Sequence, residues 1–352
     1  MQGNFQLFIF TTDRDLGEHT PYKGIVTDQW IEYSSGVQIL YNSPAQLNYR
    51  NIRNQVASIN PDVIYLNSMF SRFFTIYPLL MTRGKARKVN IVLSPRGMLR
   101  KSALQFKPLK KKVYLSLFKA LGFNKSIRFH ATDEQESKDI QLHFGKQAQV
   151  TLISNFPGAV KAFPAPLEKQ PGKLKVLFVG RIHPIKNLDY LLSILPNVKG
   201  EIHLTVTGSE EDKEYAQQCR AFSQGLPAHI TVTFNAEMPH HELAGIFMAH
   251  HIFALPTMGE NFGHAIFEAL AFGKPVLISD QTPWRDLPAK KAGWDLPLND
   301  KAAFIQALQQ AADFDQAEYN RWSEGAWEHA KRSAAGNSIL AKYITLFNAN
   351  AQ

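Results

Sequence analysis

The sequence predicts an α/β protein made of two parallel-sheet domains, and three observations carry that prediction. At 352 residues the chain is longer than single hydrophobic cores usually grow. Short β-rich runs alternate with helix-length segments in both halves, the pattern of strands joined by crossover helices. Between the halves, residues 155–172 hold four prolines, two glycines and few periodic apolar positions, which is how a linker reads.

In chain order, the first half offers strand-like runs at 5–10, 37–41, 62–66, 89–94, 127–131 and 150–154. The pattern restarts after the linker with runs at 175–180, 202–207, 230–234, 252–255 and 275–279, and the last 35 or so residues carry Ala, Trp and Tyr at helical spacing. The expected division is a first domain at 1–155, a linker at 156–172, a second domain at 173–335, and a terminal helix at 336–352 that packs back on the first. Parallel sheets bind ligands at the carboxyl ends of their strands, so the residues that follow each run carry the functional information.

Composition is that of a globular protein, with 45% hydrophobic and 20% charged residues. No apolar run approaches the roughly 20 residues of a bilayer span. The first residues lack the charged-then-apolar order of a secretory signal, and Cys219, the single cysteine, has no internal disulfide partner. These features predict a cytoplasmic protein. The net charge of +9 is uneven: residues 1–150 hold 21 basic against 10 acidic side chains, and no acidic residue occurs between Asp62 and Asp133. Within that gap residues 107–123 combine clustered lysines with apolar positions at helical spacing. A basic amphipathic helix of this kind suits an anionic membrane surface, at the inner face of the plasma membrane for a cytoplasmic protein, and equally an ordinary domain helix with a solvated face. No nucleic-acid partner is expected, because base-stacking aromatics on a recognisable module are missing.

Two loops carry the chemistry. The first, Gly180-Arg181-Ile182-His183-Pro184-Ile185-Lys186-Asn187, leads from a strand into an apolar helix. A guanidinium fork and an ammonium point charge five residues apart, beside a helix N-terminus, suit a diphosphate; a solvated basic loop is the plain alternative. The second loop follows the run at 252–255 and holds Thr257, Glu260, Phe262, Gly263, His264 and Glu268. With a helix beginning near Phe262, Glu268 lies in the helix and Glu260 in the loop before it, so both carboxylates can face one pocket. The amides of residues 262–265 are then open to phosphate or sugar oxygens.

Asn-Phe-Gly-His-Ala-Ile-Phe-Glu-Ala-Leu-Ala-Phe-Gly-Lys-Pro-Val-Leu-Ile-Ser at 261–279, with the Gly-Arg-x4-Lys loop about 75 residues earlier, resembles the signature of retaining family 4 glycosyltransferases. The resemblance covers the second domain and, more loosely, the first. It implies the GT-B fold, two Rossmann-like domains facing a cleft. It also implies that Arg181 and Lys186 bind the nucleotide diphosphate in place of a metal, that Glu260 contacts the donor sugar and assists the reaction, and that Glu268 holds the ribose. Gly180, Thr257, Phe262, Gly263 and His264 then line the donor, and no metal or other cofactor is expected. A nucleotide sugar and a glycan or lipid-linked acceptor, as in lipopolysaccharide or capsule assembly, are the implied substrates.

In the first half, residues 93–99 resemble a Pro-His-Gly-Met-Leu loop of related enzymes with Arg96 at the histidine position, so Arg96 and Gly97 are candidates for the acceptor side or the leaving phosphate, with a plain basic residue after a strand end as the alternative; residues 129–135 also resemble a family loop, in which His130 is an acceptor-side candidate or, equally, a satisfied core histidine. Thr132 and Gln135 stand at capping-box spacing. Family members open with a strand and a Gly-rich loop, whereas this chain opens on what looks like their second strand. One βα unit of roughly 30–40 residues is therefore expected to be absent. That departure raises the competing reading of a non-catalytic donor-binding remnant, and the resemblance to the fold leaves open a nucleotide-sugar epimerase or hydrolase. Asp13-Arg14-Asp15 spells a metal-binding Asp-x-Asp but lies far from the donor loops, and the doublets His240-His241 and His250-His251 lack the i, i+4 pairing of helical metal ligands.

Overall fold

The computed structural model describes residues 5–15, 18–82, 89–156, 158–239, 242–335 and 338–348. Of the features singled out above, His240, His241 and the basic residues of 83–88 lie outside the described residues. Contacts divide the chain into two units, Met1–Ser154 with Asn337–Gln352, and Asn155–Gly336.

The first unit begins with β1 (Leu7–Thr12), β2 (Trp30–Ser34), β3 (Val37–Asn42), α1 (Tyr49–Ile59) and β4 (Val63–Leu66). It continues through α2 (Tyr77–Thr82), β5 (Asn90–Leu93), α3 (Lys101–Leu104), α4 (Pro108–Ala120), β6 (Arg128–Ala131), α5 (Glu134–Phe144) and β7 (Val150–Leu152). The expected single parallel sheet is divided in two. β1 and β3 pair in parallel and β2 joins β3 antiparallel, while β4-β5-β6-β7 form a separate four-stranded parallel sheet. Among the described residues the outer edge of β1 and that of β4 pair with no strand. The physical consequence is visible in burial: β5, flanked on both sides, is buried throughout, whereas only Leu66 is buried in β4 and no residue in β1.

The second unit contains β8 (Lys173–Val179), α6 (Leu188–Ile194), β9 (Glu201–Thr207), α7 (Lys213–Gln224), β10 (Ile230–Asn235) and α8 (Leu243–Met248). It ends with β11 (Ile252–Leu255), α9 (His264–Ala271), β12 (Val276–Ser279), β13 (Gly293–Leu296), α10 (Lys301–Asp313) and α11 (Gln316–Ala334). Its six strands run parallel in the order β10-β9-β8-β11-β12-β13. Strand β8 from Val176 onward, with β11 and β12, is buried on both faces, as a sheet covered by helices on both sides requires. The order reverses between β8 and β11, so the loops that leave these two strands lie side by side at the position where parallel sheets bind ligands.

The proline-rich segment expected to be a linker is bound along the second unit. Lys169 is 3% exposed and donates its Nζ to the carbonyls of Ala312 (2.7 Å) and Phe314 (3.0 Å). Trp327 donates to Lys161 O at 3.0 Å, and His251 to Glu168 O at 2.9 Å. The last helix, α12 (Ser338–Asn348), belongs to the first unit, where Tyr343 and Leu346 pack on Val92 and Ile153 of the four-stranded sheet.

Candidate active site

The loops after β8 and β11 meet at the strand-order reversal. Beyond Val179, Gly180 and Gly208 bring the ends of β8 and β9 into backbone contact. A Cβ at 208 would lie 1.9 Å from the Gly180 carbonyl oxygen, and Gly208 has φ +154°, so no other residue fits there. Ile182 is 1% exposed and plugs the loop into the core, its amide bonded to Ser209 O at 2.8 Å. A single 3-10 turn, Pro184–Lys186, follows, with Ile185 N donating to His183 Nδ1 at 3.2 Å. Burial holds the His183 imidazole below its usual pKa, which favours the neutral ring that can accept this bond.

The second loop is sewn to the first. Thr257, fully buried, donates its hydroxyl to Ile185 O at 3.0 Å, and Met258 N donates to the same carbonyl at 2.7 Å. Asn187, held in the left-handed region at φ 61°, donates Nδ2 to Pro256 O at 3.0 Å. A third loop, after β12, props the arrangement from behind: Ser279 Oγ bonds Thr257 O at 2.5 Å, Glu260 N bonds Gln281 O at 2.9 Å, and the Trp284 indole donates to Phe262 O at 2.5 Å.

These contacts fix the four charged side chains. Lys186 and Glu260 form an ion pair whose side chains are 15% and 13% exposed. Arg181 pairs with Glu211 at the rim, at 55% and 33% exposure. The helix α9 begins at His264, two residues later than expected, because Gly263 takes φ +75° as the cap and breaks the helical run. Glu268 sits half-buried on its second turn, and the amide end of the helix, at Gly263 and His264, follows directly on the Glu260 loop. The structure thus brings Gly180, Lys186, Thr257 and Glu260 together. It pairs Arg181 with a residue the sequence reading did not select. Glu211, Asn187, Ser279, Gln281 and Trp284 were all missed. Their roles depend on loops 20 to 75 residues apart meeting in space, and only the Ser-Glu-Glu following β9's end hinted at one of them.

The first-unit candidates form their own network. Arg96 (φ 53°) and Gly97 (φ 73°) make a left-handed turn after β5. Arg96 donates Nε to Asn67 Oδ1 at 2.5 Å and a terminal nitrogen to Tyr65 OH at 3.1 Å. His130 is fully buried; its Nε2 faces Ile153 O at 2.8 Å and must donate there, so Nδ1 accepts from Tyr65 OH at 2.7 Å. Burial lowers its pKa to about 4, keeping it neutral. With no exposed surface, His130 has the geometry of the satisfied core histidine that the sequence left open beside the acceptor-side role. The capping box is also one residue later than expected: Asp133 accepts from Glu136 N at 2.8 Å, and Glu136 reaches back to Thr132 N and Oγ1 and across to Gly97 N.

The discounted motifs are internally satisfied. Asp13 is bound by Arg14, and Asp15 accepts from Tyr22 OH at 2.6 Å. His250 and His251 are buried, the first between Ile246 O and Thr205 Oγ1, the second between Lys175 N and Glu168 O. Among the described residues no helix is long and apolar enough to cross a membrane.

Residues 160–329 match the family model described as glycosyl transferases group 1. The matched segment lies within the second unit. Within the matched residues lie both loops of the candidate site. A D-inositol 3-phosphate glycosyltransferase of Segniliparus rotundus is 33% identical over 125 residues, 34% of this chain and 28% of that protein. The match spans less than a third of the length of the curated relatives it is drawn from. Among solved structures, sucrose-phosphate synthase from Thermosynechococcus elongatus superposes with a TM-score of 0.71 at 17% identity, covering 98% of this chain and 88% of that one. An Anabaena protein solved in complex with UDP-glucose gives 0.64 at 14% identity, covering 90% and 85%. At such identities the likeness shows the fold, which is α/β of the GT-B type.

Proposed function

We propose that the chain is a glycosyltransferase that moves a sugar, with retention and without a metal, from a nucleoside-diphosphate sugar to a glycan or lipid-linked acceptor. The observation that carries this reading is the meeting of the Lys186 and Glu260 loops at the point where the strand order of the group 1 domain reverses. Supporting it, relatives with the same domain bear the name glycosyltransferase, and an Anabaena neighbour was solved with UDP-glucose.

The chemistry follows from charge. When the glycosidic bond opens, negative charge grows on the departing diphosphate. Cations fixed nearby stabilise that state more than the ground state. Lys186 is neutralised by Glu260 and Arg181 by Glu211. A bound diphosphate takes over both cations, which frees the Glu260 carboxylate for the donor sugar, while Glu268 on α9 takes the ribose hydroxyls and the amides at 263 and 264 a phosphate oxygen. Arg96, pinned by Asn67 and Tyr65, is the first-unit residue assigned to the acceptor side or the leaving phosphate. Surface polysaccharide assembly in the cytoplasm, at a membrane when the acceptor is lipid-linked, is the setting this reading favours.

The test is product analysis with UDP-, GDP- and dTDP-sugars, with and without acceptor. Transfer predicts acceptor-dependent consumption and a product of the donor's anomeric configuration. Equal consumption without acceptor identifies an epimerase or hydrolase, and binding without turnover identifies a donor-binding remnant.

A further inference from the structure

The peptide between Phe262 and Gly263 has more freedom to turn over than its neighbours in the second loop, and it is restrained from one side. Gly263 takes φ +75° as the cap of α9, and a Cβ there would lie 2.7 Å from Ile266 Cδ1, so only glycine fits. Glycine is at home on both sides of φ zero, so it does not by itself fix which way the peptide before it faces. Another group has to. Trp284 supplies it by donating Nε1 to Phe262 O at 2.5 Å, across 22 residues of chain.

The indole is itself firmly held. Trp284 is 6% exposed and lies against the rings of Phe262, Phe267 and His329, with centroid distances of 5.5, 6.1 and 5.6 Å. Its amide donates to Thr282 Oγ1 at 3.2 Å, and Leu287 N donates to Asp295 Oδ1 at 3.0 Å, which ties the same loop to β13. The 262–263 peptide is trans, so its C=O and its N–H point in opposite directions. With the carbonyl turned onto Trp284, the Gly263 N–H points away from the indole. Turned over, the peptide would present a carbonyl oxygen where it now presents an N–H, and an anion attracted by the second is repelled by the first.

We propose that Trp284 is a positioning residue that locks the 262–263 peptide with its N–H toward the donor diphosphate, acting only through Phe262. The inference rests on the nucleotide-sugar reading of this site. Its test compares the full chain with Trp284→Phe, which keeps a ring in the core and removes the donor, and with His329→Leu, which removes a ring from the indole and leaves the hydrogen bond. Benzothienylalanine at position 284, a tryptophan isostere with sulfur in place of the N–H, repeats the comparison at constant shape. Titration calorimetry with UDP, GDP and their nucleosides is read beside hydrogen exchange over residues 260–268.

Trp284→Phe and the isostere should weaken binding of the nucleoside diphosphate about tenfold, the lower end of what one charge-assisted hydrogen bond contributes. They should leave nucleoside affinity unchanged and speed exchange at residues 262–265. His329→Leu should match the parent in all three readouts. A purely structural role would instead weaken nucleoside and diphosphate together. That shared loss, unchanged diphosphate affinity or unchanged exchange without the N–H, or an equal loss in His329→Leu would overturn the lock while leaving the site assignment standing. A parent chain that binds neither UDP nor GDP would overturn the reading beneath it, and the inference with it.

Discussion

Replacing Lys186 by methionine separates two jobs that the geometry gives to one ammonium group. It neutralises Glu260, both side chains being close to nine-tenths buried. An exposed pair of this kind contributes about 0–1 kcal/mol, and breaking a fully buried one costs about 3–5 kcal/mol because a charge is stranded. At this burial about 2 kcal/mol is expected, or a melting decrease of roughly 4–8 °C for a unit of this size. Glu260→Gln should destabilise similarly, and the double variant should recover most of the loss, because neither charge is then left alone. Nucleotide binding should behave differently. A charge-assisted contact to phosphate is worth about 1.5–3 kcal/mol, so Lys186→Met should weaken UDP or GDP binding about ten- to a hundredfold. The double variant should not restore that affinity. Glu260→Gln alone should hold the free nucleotide more tightly than the parent, since Lys186 is released, while abolishing most turnover. Urea denaturation and titration calorimetry on the four proteins provide the readouts. If the double variant restores nucleotide affinity together with stability, or if Lys186→Met leaves affinity unchanged, Lys186 is only a strut for Glu260 and the reasoning fails.

Glu211→Gln removes the rim partner of Arg181; because that pair is largely solvated, nucleoside-diphosphate affinity should rise by no more than about fivefold, and a decrease would show Glu211 to be a ligand itself. Gly208→Ala places a methyl group 1.9 Å from the Gly180 carbonyl and should cost several kcal/mol in urea denaturation along with loss of nucleotide binding; a variant that melts with the parent would contradict the close approach of the two loops. His130, His250 and His251 are each lowered by burial to a pKa of about 4, so the unfolded chain takes up protons first as pH falls. Their contribution is complete above about pH 6.5 and disappears towards pH 4. Urea midpoints should therefore fall steeply between pH 6.5 and 4.5, and a flat profile would show these imidazoles to be hydrated.

The strands of the second unit were legible because buried parallel strands are uninterrupted apolar runs: 252–255 coincides with β11, and 202–207 falls one residue short of β9 at its start. β13 escaped notice because Gly-Trp-Asp-Leu has neither a run nor an alternation, its strand form being imposed by pairing with β12. β2 was missed although Trp-Ile-Glu-Tyr-Ser has strand-forming residues; its antiparallel register on β3 comes from the turn at residues 35–36, not from a βα unit. The two charged loops could be read from residue type and position after strands. Which carboxylate answers which cation could not, since Glu211 and Glu260 approach Arg181 and Lys186 across 30 and 74 residues of chain. The attachment of the proline-rich segment could not be read from composition, which reports backbone preference, because it rests on Lys169, a lysine buried among carbonyls.

The central claim is that the cation-bearing turn after β8 and the carboxylate-bearing turn after β11 share one nucleoside diphosphate. Crystals of the full chain grown with UDP or GDP test it most directly. The account predicts phosphate oxygens within hydrogen-bonding distance of both Arg181 and Lys186, Glu211 displaced from the guanidinium, and the ribose hydroxyls on Glu268. A nucleotide bound elsewhere on the chain, or seated here with Lys186 still closed on Glu260, would contradict it.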